Sequence, residues 1–179
     1  MGNFHFEEMH LQGVFCITPT IYGDERGYFV ETYQKREFQN AGIDTVFVQD
    51  NQSCSKKGVL RGLHYQLEPF AQGKLVCVNH GAAFDVAVDI RQGSPSYGEW
   101  FGLELNTENK KMLWIPAGFA HGFLALEENT IFSYKTTNFY NKESERSIRW
   151  NDEALNIHWP DVGGYLINDK DQAAALFVM

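Results

Sequence analysis

The chain is made of many short segments with the pattern of β-strands, and this division limits its fold more than any other feature. The clearest segment is residues 83–91, where apolar side chains at every second position alternate with Asp85, Ala87, Asp89 and Arg91. A two-residue period of this kind is expected of a strand whose two faces differ. We therefore predict an all-β protein, and among all-β architectures we favour a double-sheet jelly roll.

Further strands are predicted along the whole chain, and helices are predicted to be few and short. The strands are expected at residues 13–18, 28–33, 46–51, 59–66, 74–79, 99–105, 111–115, 118–126 and 130–137. The helices are expected at residues 35–42, where Gly42 would end the helix, and at residues 151–155 and 170–177. No linker or fixed repeat interrupts the sequence, so residues 1–179 are expected to form a single domain.

Composition narrows the class of function. The net charge of -8 argues against general affinity for nucleic acid or anionic membranes. Cys16, Cys54 and Cys77 are widely spaced, which favours reduced thiols in a cytoplasmic protein. No apolar run approaches the roughly 20 residues that span a bilayer, and the acidic N-terminal segment lacks the pattern of a signal peptide. We expect a cytoplasmic protein with no nucleic-acid or membrane partner.

The run from residue 58 to residue 74 carries the first chemical signal. It contains a fixed cation, a titratable imidazole and a flexible ammonium, which are Arg61, His64 and Lys74. These groups suit a site that binds an anionic substrate, removes a proton and stabilises the negative charge that results. The acidity of the whole chain does not oppose this, because a small phosphate-bearing ligand needs only a few local cations.

The spacing of Arg61 and His64 leaves two arrangements open. In a regular strand, side chains three positions apart point to opposite faces, so only one of the two would enter a pocket. Gly62 lies between them, and a glycine inside a strand often marks a bulge, which would bring both side chains to one face. In the alternative arrangement Arg61 lies outside in solvent, and spacing alone does not decide between the two.

Two runs, residues 58–66 and 115–123, look like the two signature segments of a cupin, a small β-barrel that often hosts sugar or metal chemistry. Gly58 stands at the required distance before His64. The second run contains the cupin pattern Pro-Ala-Gly-Phe-Ala-His, in which the histidine is His121. The fold prediction becomes a cupin-type double-sheet jelly-roll barrel with a few short helices.

The ligand set of a metal-binding cupin is incomplete here. Its second histidine is replaced by Gln66, and its glutamate position falls at Phe70 or Ala71. Two histidines and a neutral amide bind a divalent metal poorly compared with three or four imidazole and carboxylate ligands. We predict metal-free acid–base chemistry, with no metal and no cofactor.

Longer motifs match one family along nearly the whole chain. They occupy residues 23–29, 48–53, 58–66, 71–76, 84–91, 115–123, 134–137 and 148–152. By these motifs the chain resembles the dTDP-4-dehydrorhamnose 3,5-epimerases, cupin-fold enzymes of dTDP-L-rhamnose synthesis. The resemblance implies a metal-free homodimer that inverts C3 and C5 of dTDP-4-dehydro-6-deoxy-D-glucose, and so serves the synthesis of a polysaccharide sugar.

The chemistry of a 4-keto sugar explains the catalytic residues that the resemblance implies. Removing the hydrogen from C3 or C5 gives an enolate with its charge on the C4 oxygen, and returning a proton to the opposite face inverts the carbon. By resemblance His64 is the base, Tyr134 is the acid and Lys74 stabilises the enolate. An imidazole, with an ordinary pKa of roughly 6.5, accepts a proton at neutral pH.

The base requires a carboxylate to orient it, and the resemblance assigns this role to Asp171. The neighbouring Asp169 stays open as an alternative. Without the resemblance, both acids would be interpreted as residues that favour the start of a helix.

Residues that contact the nucleotide sugar are also implied by resemblance. They are Arg26, Glu31, Gln49, Asp50, Asn51, Arg61, Lys74, His121, Glu145 and Lys170. Simpler interpretations remain: Arg26 and Glu145 lie in segments that would normally be solvated, and His121, flanked by phenylalanines, has the pattern of a hydrogen-bonded core histidine.

Three other functions are weighed against this one. A closely related enzyme that inverts only C3 or only C5 would share the same motifs. A metal-dependent cupin isomerase or oxygenase would require the missing histidine. A sugar-binding cupin without activity would not require His64, Lys74 and Tyr134 together.

Overall fold

The computed structural model describes residues 2–178 and consists mainly of two antiparallel β-sheets that pack face to face. The six-stranded sheet has the order β1-β2-β10-β7-β12-β5, and the five-stranded sheet has the order β13-β6-β11-β8-β9. A separate two-stranded hairpin is formed by β3 and β4. The predicted all-β, double-sheet architecture is confirmed.

The elements have the following bounds in chain order. The strands are β1 (Phe4–Glu8), β2 (Phe15–Pro19), β3 (Ile21–Asp24), β4 (Gly27–Val30), β5 (Gln49–Ser55), β6 (Leu60–Gln66), β7 (Lys74–His80), β8 (Ala82–Asp89), β9 (Trp100–Asn106), β10 (Met112–Ile115), β11 (Phe119–Ala125), β12 (Thr130–Thr136) and β13 (Glu145–Ser147). The helices are α1 (Lys35–Asn40) and α2 (Asp169–Gln172).

The main core fills the space between the two sheets. Val76 and Phe132 enter it from the six-stranded sheet, and Ala83, Ala87 and Phe123 enter it from the five-stranded sheet. The rings of Phe123 and Phe132 are stacked with their centroids 4.0 Å apart. Because both sheets contribute apolar side chains at alternate positions, one face of each sheet is sealed from water.

Smaller clusters cover the outer faces of both sheets. Phe38 of α1 is fully buried against the outside of the six-stranded sheet. Val86 and Val88 pack with Ile148 and Leu155 on the outside of the five-stranded sheet. Val86 and Val88 therefore face an outer layer, and the alternate residues of β8, which include Ala83, Asp85 and Ala87, point into the barrel.

A bulge interrupts β6 at the position of the strand glycine. His64 pairs with His121, whereas Arg61 pairs with Phe123, so the register shifts by one residue between them. Directly paired residues project to the same face, so Arg61 and His64 project from one face of the sheet, but His64 lines the cavity whereas Arg61 is exposed. A side chain on Gly62 would collide with the Cα atom of Gly122, because an added Cβ would lie 2.5 Å from it.

The predicted elements need several corrections. Residues 151–155 form turns, because the Asp152 side chain accepts the backbone N–H of Ala154 at 2.9 Å and competes with helical bonding. The helix expected at 170–177 ends at Gln172, and the chain then bridges to Ile148 through Ala175.

Strand boundaries also differ from the prediction. The strand expected at 46–51 begins and ends later, at Gln49–Ser55. Strands β1, β3 and β13 were not predicted, and residues 23–27 include the tip of the β3–β4 hairpin. Within residues 2–178, no helix is long and apolar enough to cross a membrane.

Candidate active site

A cavity of about 280 Å³ opens between the two sheets. It is lined by Gln49, Asn51, His64, Tyr65, Gln66, Gln72, Lys74, Tyr134, Tyr140 and Glu145. Strands of both sheets contribute, so the cavity has two walls with different side chains. This is the place where the predicted catalytic residues come together.

His64 and Asp171 form a hydrogen-bonded pair at this cavity. His64 Nε2 lies 2.6 Å from Asp171 Oδ1, and the second carboxylate oxygen accepts the backbone N–H of Gly62 at 3.2 Å. Asp171 is fully buried, whereas the His64 side chain is 30% exposed. Because an ionised carboxylate only accepts hydrogen bonds, Nε2 carries the proton and Nδ1 remains as the basic atom.

The short helix α2 fixes the position of Asp171. Asn168 caps the helix by accepting the backbone N–H of Asp171 at 2.7 Å. Burial alone would raise the pKa of Asp171, but the hydrogen bond and charge of His64, with the N–H of Gly62, lower it below its ordinary value. Asp171, and not the neighbouring Asp169, is the carboxylate that contacts His64.

Lys74 brings a cation into the barrel from the start of β7. It is 9% exposed, and its Nζ donates to the backbone oxygen of His64 at 3.4 Å. Burial lowers the pKa of Lys74 to about 8, against the opposing effects of Asp85 and Glu145. The ammonium therefore remains mostly charged at neutral pH but is poorly solvated, which strengthens its attraction for an anion.

Tyr134 stands on the other wall of the cavity. It belongs to β12 of the six-stranded sheet, whereas His64 belongs to β6 of the five-stranded sheet. Burial raises the pKa of Tyr134 despite the opposing charge of Arg61, so its hydroxyl stays protonated at neutral pH. A base on one wall, an acid on the other and a buried cation can together move a proton from one face of a bound ring to the opposite face.

Glu145 and Lys170 lie together at the rim of the cavity. Lys170 Nζ is 2.6 Å from Glu145 Oε2, and the Tyr140 hydroxyl donates to the same carboxylate at 3.0 Å. Burial tends to raise the pKa of Glu145, but these two partners lower it below its ordinary value. Both predicted residues are thus at the site, paired with each other.

The residues predicted on β5 are divided between the two faces of the sheet. Gln49 and Asn51 face the cavity and are joined by a side-chain hydrogen bond of 2.8 Å. Asp50 points to the outer face, where Lys135 Nζ lies 3.0 Å from its carboxylate. The structure does not bring Asp50 to the cavity, because adjacent residues of a strand point in opposite directions.

Arg61 and the hairpin residues lie outside the cavity lining. Arg61 is exposed; its side chain donates from Nε to Ser55 Oγ at 3.2 Å and lies near enough to Tyr134 to affect the pKa of that tyrosine. Arg26 is at the tip of the β3–β4 hairpin, 85% exposed and paired with Asp24. Glu31 follows the hairpin and accepts a hydrogen bond from Asn3. Neither Arg26 nor Glu31 lines the cavity of this chain.

His121 lies behind the cavity as a buried histidine with its own carboxylate. Its Nε2 is 2.7 Å from Asp85 Oδ1, and it is 7% exposed. Burial lowers the pKa of His121 in spite of the nearby Asp85. This geometry is that of the hydrogen-bonded core histidine that the sequence left open as an alternative.

Gln66, which replaces a metal ligand of other cupins, has a structural role. Its amide nitrogen donates to the backbone oxygens of Phe70 and Phe139, and its oxygen accepts the N–H of Asn141 at 2.7 Å. Among residues 2–178, no group of three or more His, Cys, Asp and Glu side chains is arranged to hold a metal ion.

Sequence reasoning did not assign several residues of the site. Tyr65, Gln72 and Tyr140 line the cavity, and Asp85 lies behind it. Asp85 left a signal, since it is an acid in an otherwise apolar β-strand. Tyr65 and Gln72 belong to the family motifs at residues 58–66 and 71–76, but their sequence pattern has no feature that separates them from surface residues.

Comparisons with known proteins point in one direction. The family model described as dTDP-4-dehydrorhamnose 3,5-epimerase matches residues 8–178. A protein of that name from Shigella flexneri is 55% identical over 166 residues, which cover 92% of this chain and 91% of the relative.

Solved structures agree with these sequence matches. The crystal structure of dTDP-4-dehydrorhamnose 3,5-epimerase from Elizabethkingia anophelis is 46% identical with a TM-score of 0.94, over 98% of this chain and 97% of that chain. A structure of dTDP-6-deoxy-D-glucose-3,5-epimerase from Legionella pneumophila, in complex with dTDP-4-keto-L-rhamnose, is 49% identical with a TM-score of 0.93. It covers 97% of this chain and 92% of that chain.

Proposed function

The chain belongs to the dTDP-4-dehydrorhamnose 3,5-epimerase family, and we propose that it converts dTDP-4-dehydro-6-deoxy-D-glucose into dTDP-4-dehydro-L-rhamnose by inverting C3 and C5. The chain is an isomerase. One observation carries the proposal: His64 and Tyr134 reach the same cavity from opposite sheets, with the buried ammonium of Lys74 beside them.

The first half of the reaction is proton removal. Nδ1 of His64 takes the proton from C3 or C5, and the electrons of the broken C–H bond move into the C4 carbonyl to form an enolate. Asp171, bonded to Nε2, stabilises the imidazolium that results. Lys74 supplies positive charge at the C4 oxygen as negative charge develops there.

The second half is proton return from the other face. The hydroxyl of Tyr134 gives its proton to the same carbon, the C4 carbonyl re-forms, and the carbon is inverted. His64 then releases its proton and Tyr134 regains one by exchange with solvent. Because C3 and C5 both flank C4, the same cation serves both inversions.

The polar residues around the cavity are proposed to hold the rest of the substrate. Gln49, Asn51 and Glu145 line the cavity, and Lys170 is paired with Glu145 at its rim. Lys170, and Arg61 from outside the lining, are proposed to supply cations for a diphosphate. His121, the direct cross-strand partner of His64, is proposed to contribute to substrate binding from behind the cavity lining.

A homodimer is proposed to supply the remaining residues. Arg26 lies on the β3–β4 hairpin and Glu31 directly follows it, away from the cavity of this chain. The hairpin exposes the apolar side chains of Ile21, Tyr22 and Phe29, and Phe29 is 64% exposed. Apolar side chains this exposed favour burial against another surface. In the proposed dimer a second copy covers these apolar side chains. Arg26 and Glu31, together with Asp50 on the outer face of the sheet, then approach a site that the two copies share.

The setting of the enzyme is proposed from the same resemblance. We propose that the chain acts as one domain without a metal or cofactor, in the cytoplasm, where its product would serve the synthesis of a rhamnose-containing surface polysaccharide. Its acidic composition supports the absence of a nucleic-acid or anionic-membrane partner.

The experiment that tests this function is incubation with dTDP-4-dehydro-6-deoxy-D-glucose in heavy water, followed by NMR of the sugar. The proposal predicts deuterium at both C3 and C5 and the appearance of the L-rhamno product. Deuterium and inversion at one carbon alone would identify a single-carbon epimerase. The absence of both deuterium exchange and inversion would contradict the proposal.

A further inference from the structure

A fully buried carboxylate behind the cavity has an oxygen without a partner. Asp85 has no exposed surface, and its Oδ1 is bonded to His121 Nε2 at 2.7 Å. Its Oδ2 makes no hydrogen bond to any of the described residues. An unsatisfied oxygen in a buried carboxylate is costly, so its retention calls for a physical reason.

The fold directs Asp85 and Lys74 into the same interior space. Asp85 is on β8 between Ala83 and Ala87, which pack in the main core, and Lys74 is on β7 at the inward face that carries Val76. The two strands belong to opposite sheets. Of the charged groups that act on Lys74, Asp85 has the largest effect, followed by Glu145.

We propose that Asp85 is a positioning residue for Lys74, and that its free oxygen is the counter-charge that keeps the Lys74 ammonium charged and directed toward the substrate oxygen. The direction of the ammonium toward the substrate oxygen rests on the proposed function. The electrostatic effect of Asp85 on Lys74 does not, because it rests on the burial of both groups in the interior that the two sheets share; it acts through space, since no ion pair joins the two side chains among the described residues.

None of the other titratable groups near Lys74 leaves a negative charge unpaired. They are His64, His121, Tyr134 and Glu145. Glu145 is held by Lys170 and Tyr140 at the rim. Burial lowers the pKa of His121 and raises that of Tyr134, so both are neutral at pH 7. Asp85, whose Oδ2 has no hydrogen-bond partner among the described residues, is therefore the acidic group acting on Lys74 that no cation already binds.

His121 completes the arrangement by holding the carboxylate. Its Nε2–H donates to Oδ1, which fixes the orientation of the carboxylate and leaves Oδ2 free. Burial draws the pKa of Lys74 down to about 8, and Asp85 opposes that effect. Without Asp85, desolvation would act with less opposition and Lys74 would lose its proton near neutral pH.

The test is Asp85→Asn, which keeps an oxygen for the His121 N–H and removes the charge. Lys74 would be followed by NMR titration of labelled lysine, with its signal identified by its loss in Lys74→Met. Removing a close buried charge should lower the pKa of Lys74 by about one unit or more. Asp89→Asn is the matched control, since Asp89 is an equally buried carboxylate of β8 that is bound by Arg91, Ser94 and Ser96.

An unchanged Lys74 titration in folded Asp85→Asn would overturn the proposal, as would an equal shift in Asp89→Asn. If Asp85→Asn does not fold, the wild type supplies the test. The carboxyl carbon signal of Asp85 should shift as Lys74 titrates, and this inflection should vanish in Lys74→Met. No inflection at that pH in the wild type would refute this electrostatic effect. These readouts need no activity, so they remain valid even if the proposed function fails.

Discussion

His64 and His121 lie directly opposite each other on neighbouring strands, and each is hydrogen-bonded through Nε2 to a buried aspartate. Their exposure separates them: the side chain of His64 is 30% exposed and that of His121 is 8% exposed. Burial lowers the pKa of His121. Of these two similar pairs, the one with His64 opens to the cavity, and it alone is placed to exchange a proton with a ligand.

Loss of the carboxylate behind His64 should impair proton removal. Asp171→Asn replaces an acceptor with an amide and disturbs the tautomer that leaves Nδ1 basic. We expect turnover to fall by about 10²-fold or more, the range typical of a disabled general base. Asp169→Asn is the control and should keep near wild-type turnover in the same NMR assay, because Asp169 does not contact His64. Equal losses in the two variants would show that the effect comes from the helix and not from the dyad.

Removal of the base should abolish activity without any dependence on metal. His64→Ala is expected to lower turnover by roughly 10²–10⁴-fold, with an unchanged circular dichroism spectrum. Exhaustive chelation of the wild type should leave its rate unchanged, because Gln66 is fully engaged by backbone groups. Activity that disappears on chelation and returns with a divalent ion would refute the metal-free mechanism.

Lys74 should affect both carbons equally. If Lys74 stabilises an enolate at the C4 oxygen, Lys74→Ala should slow deuterium exchange at C3 and at C5 by similar factors. Exchange at each carbon can be followed by NMR in heavy water. A variant that lost exchange at only one carbon would show that Lys74 positions the sugar instead.

The pH profile should report the ionisation of Lys74. The ammonium is the active form and its pKa is lowered to about 8, so turnover is expected to decline as the pH rises above about 8. In Lys74→Arg the cation cannot lose its proton in this range, so the activity that remains should not decline there. A wild-type rate that stayed constant up to pH 10 would contradict this assignment.

The sequence predicted those parts of the fold and site that depend on local pattern. Gly62 raised a bulge as one of two arrangements that spacing left open, and the structure has the bulge because only a residue without a side chain fits against Gly122. Gly42 ended α1 as expected, with a positive φ of 91°. Asp171 and His64 are 107 residues apart in the chain, and their pairing came from family resemblance because no local pattern links them.

Other features depend on contacts that one sequence does not reveal. The alternation in residues 83–91 predicted a strand but not which face points inward. Val86 and Val88 are buried in an outer layer with Ile148, which leaves Asp85 inside the barrel. Asp50 was expected at the site by family resemblance, yet strand geometry turns it to the outer face.

The measurement that tests the mechanism most directly separates exchange from inversion in Tyr134→Phe. The change removes only the hydroxyl, so the cavity should keep its shape while the proton for the opposite face is lost. His64 can still remove a proton and return a solvent-exchanged one to the same face.

We predict that Tyr134→Phe incorporates deuterium at C3 or C5 but forms little inverted sugar, that His64→Ala does neither, and that Tyr140→Phe, a change at the cavity rim, does both. Inversion of both carbons by Tyr134→Phe at near the wild-type rate would contradict the assignment of acid and base to opposite walls.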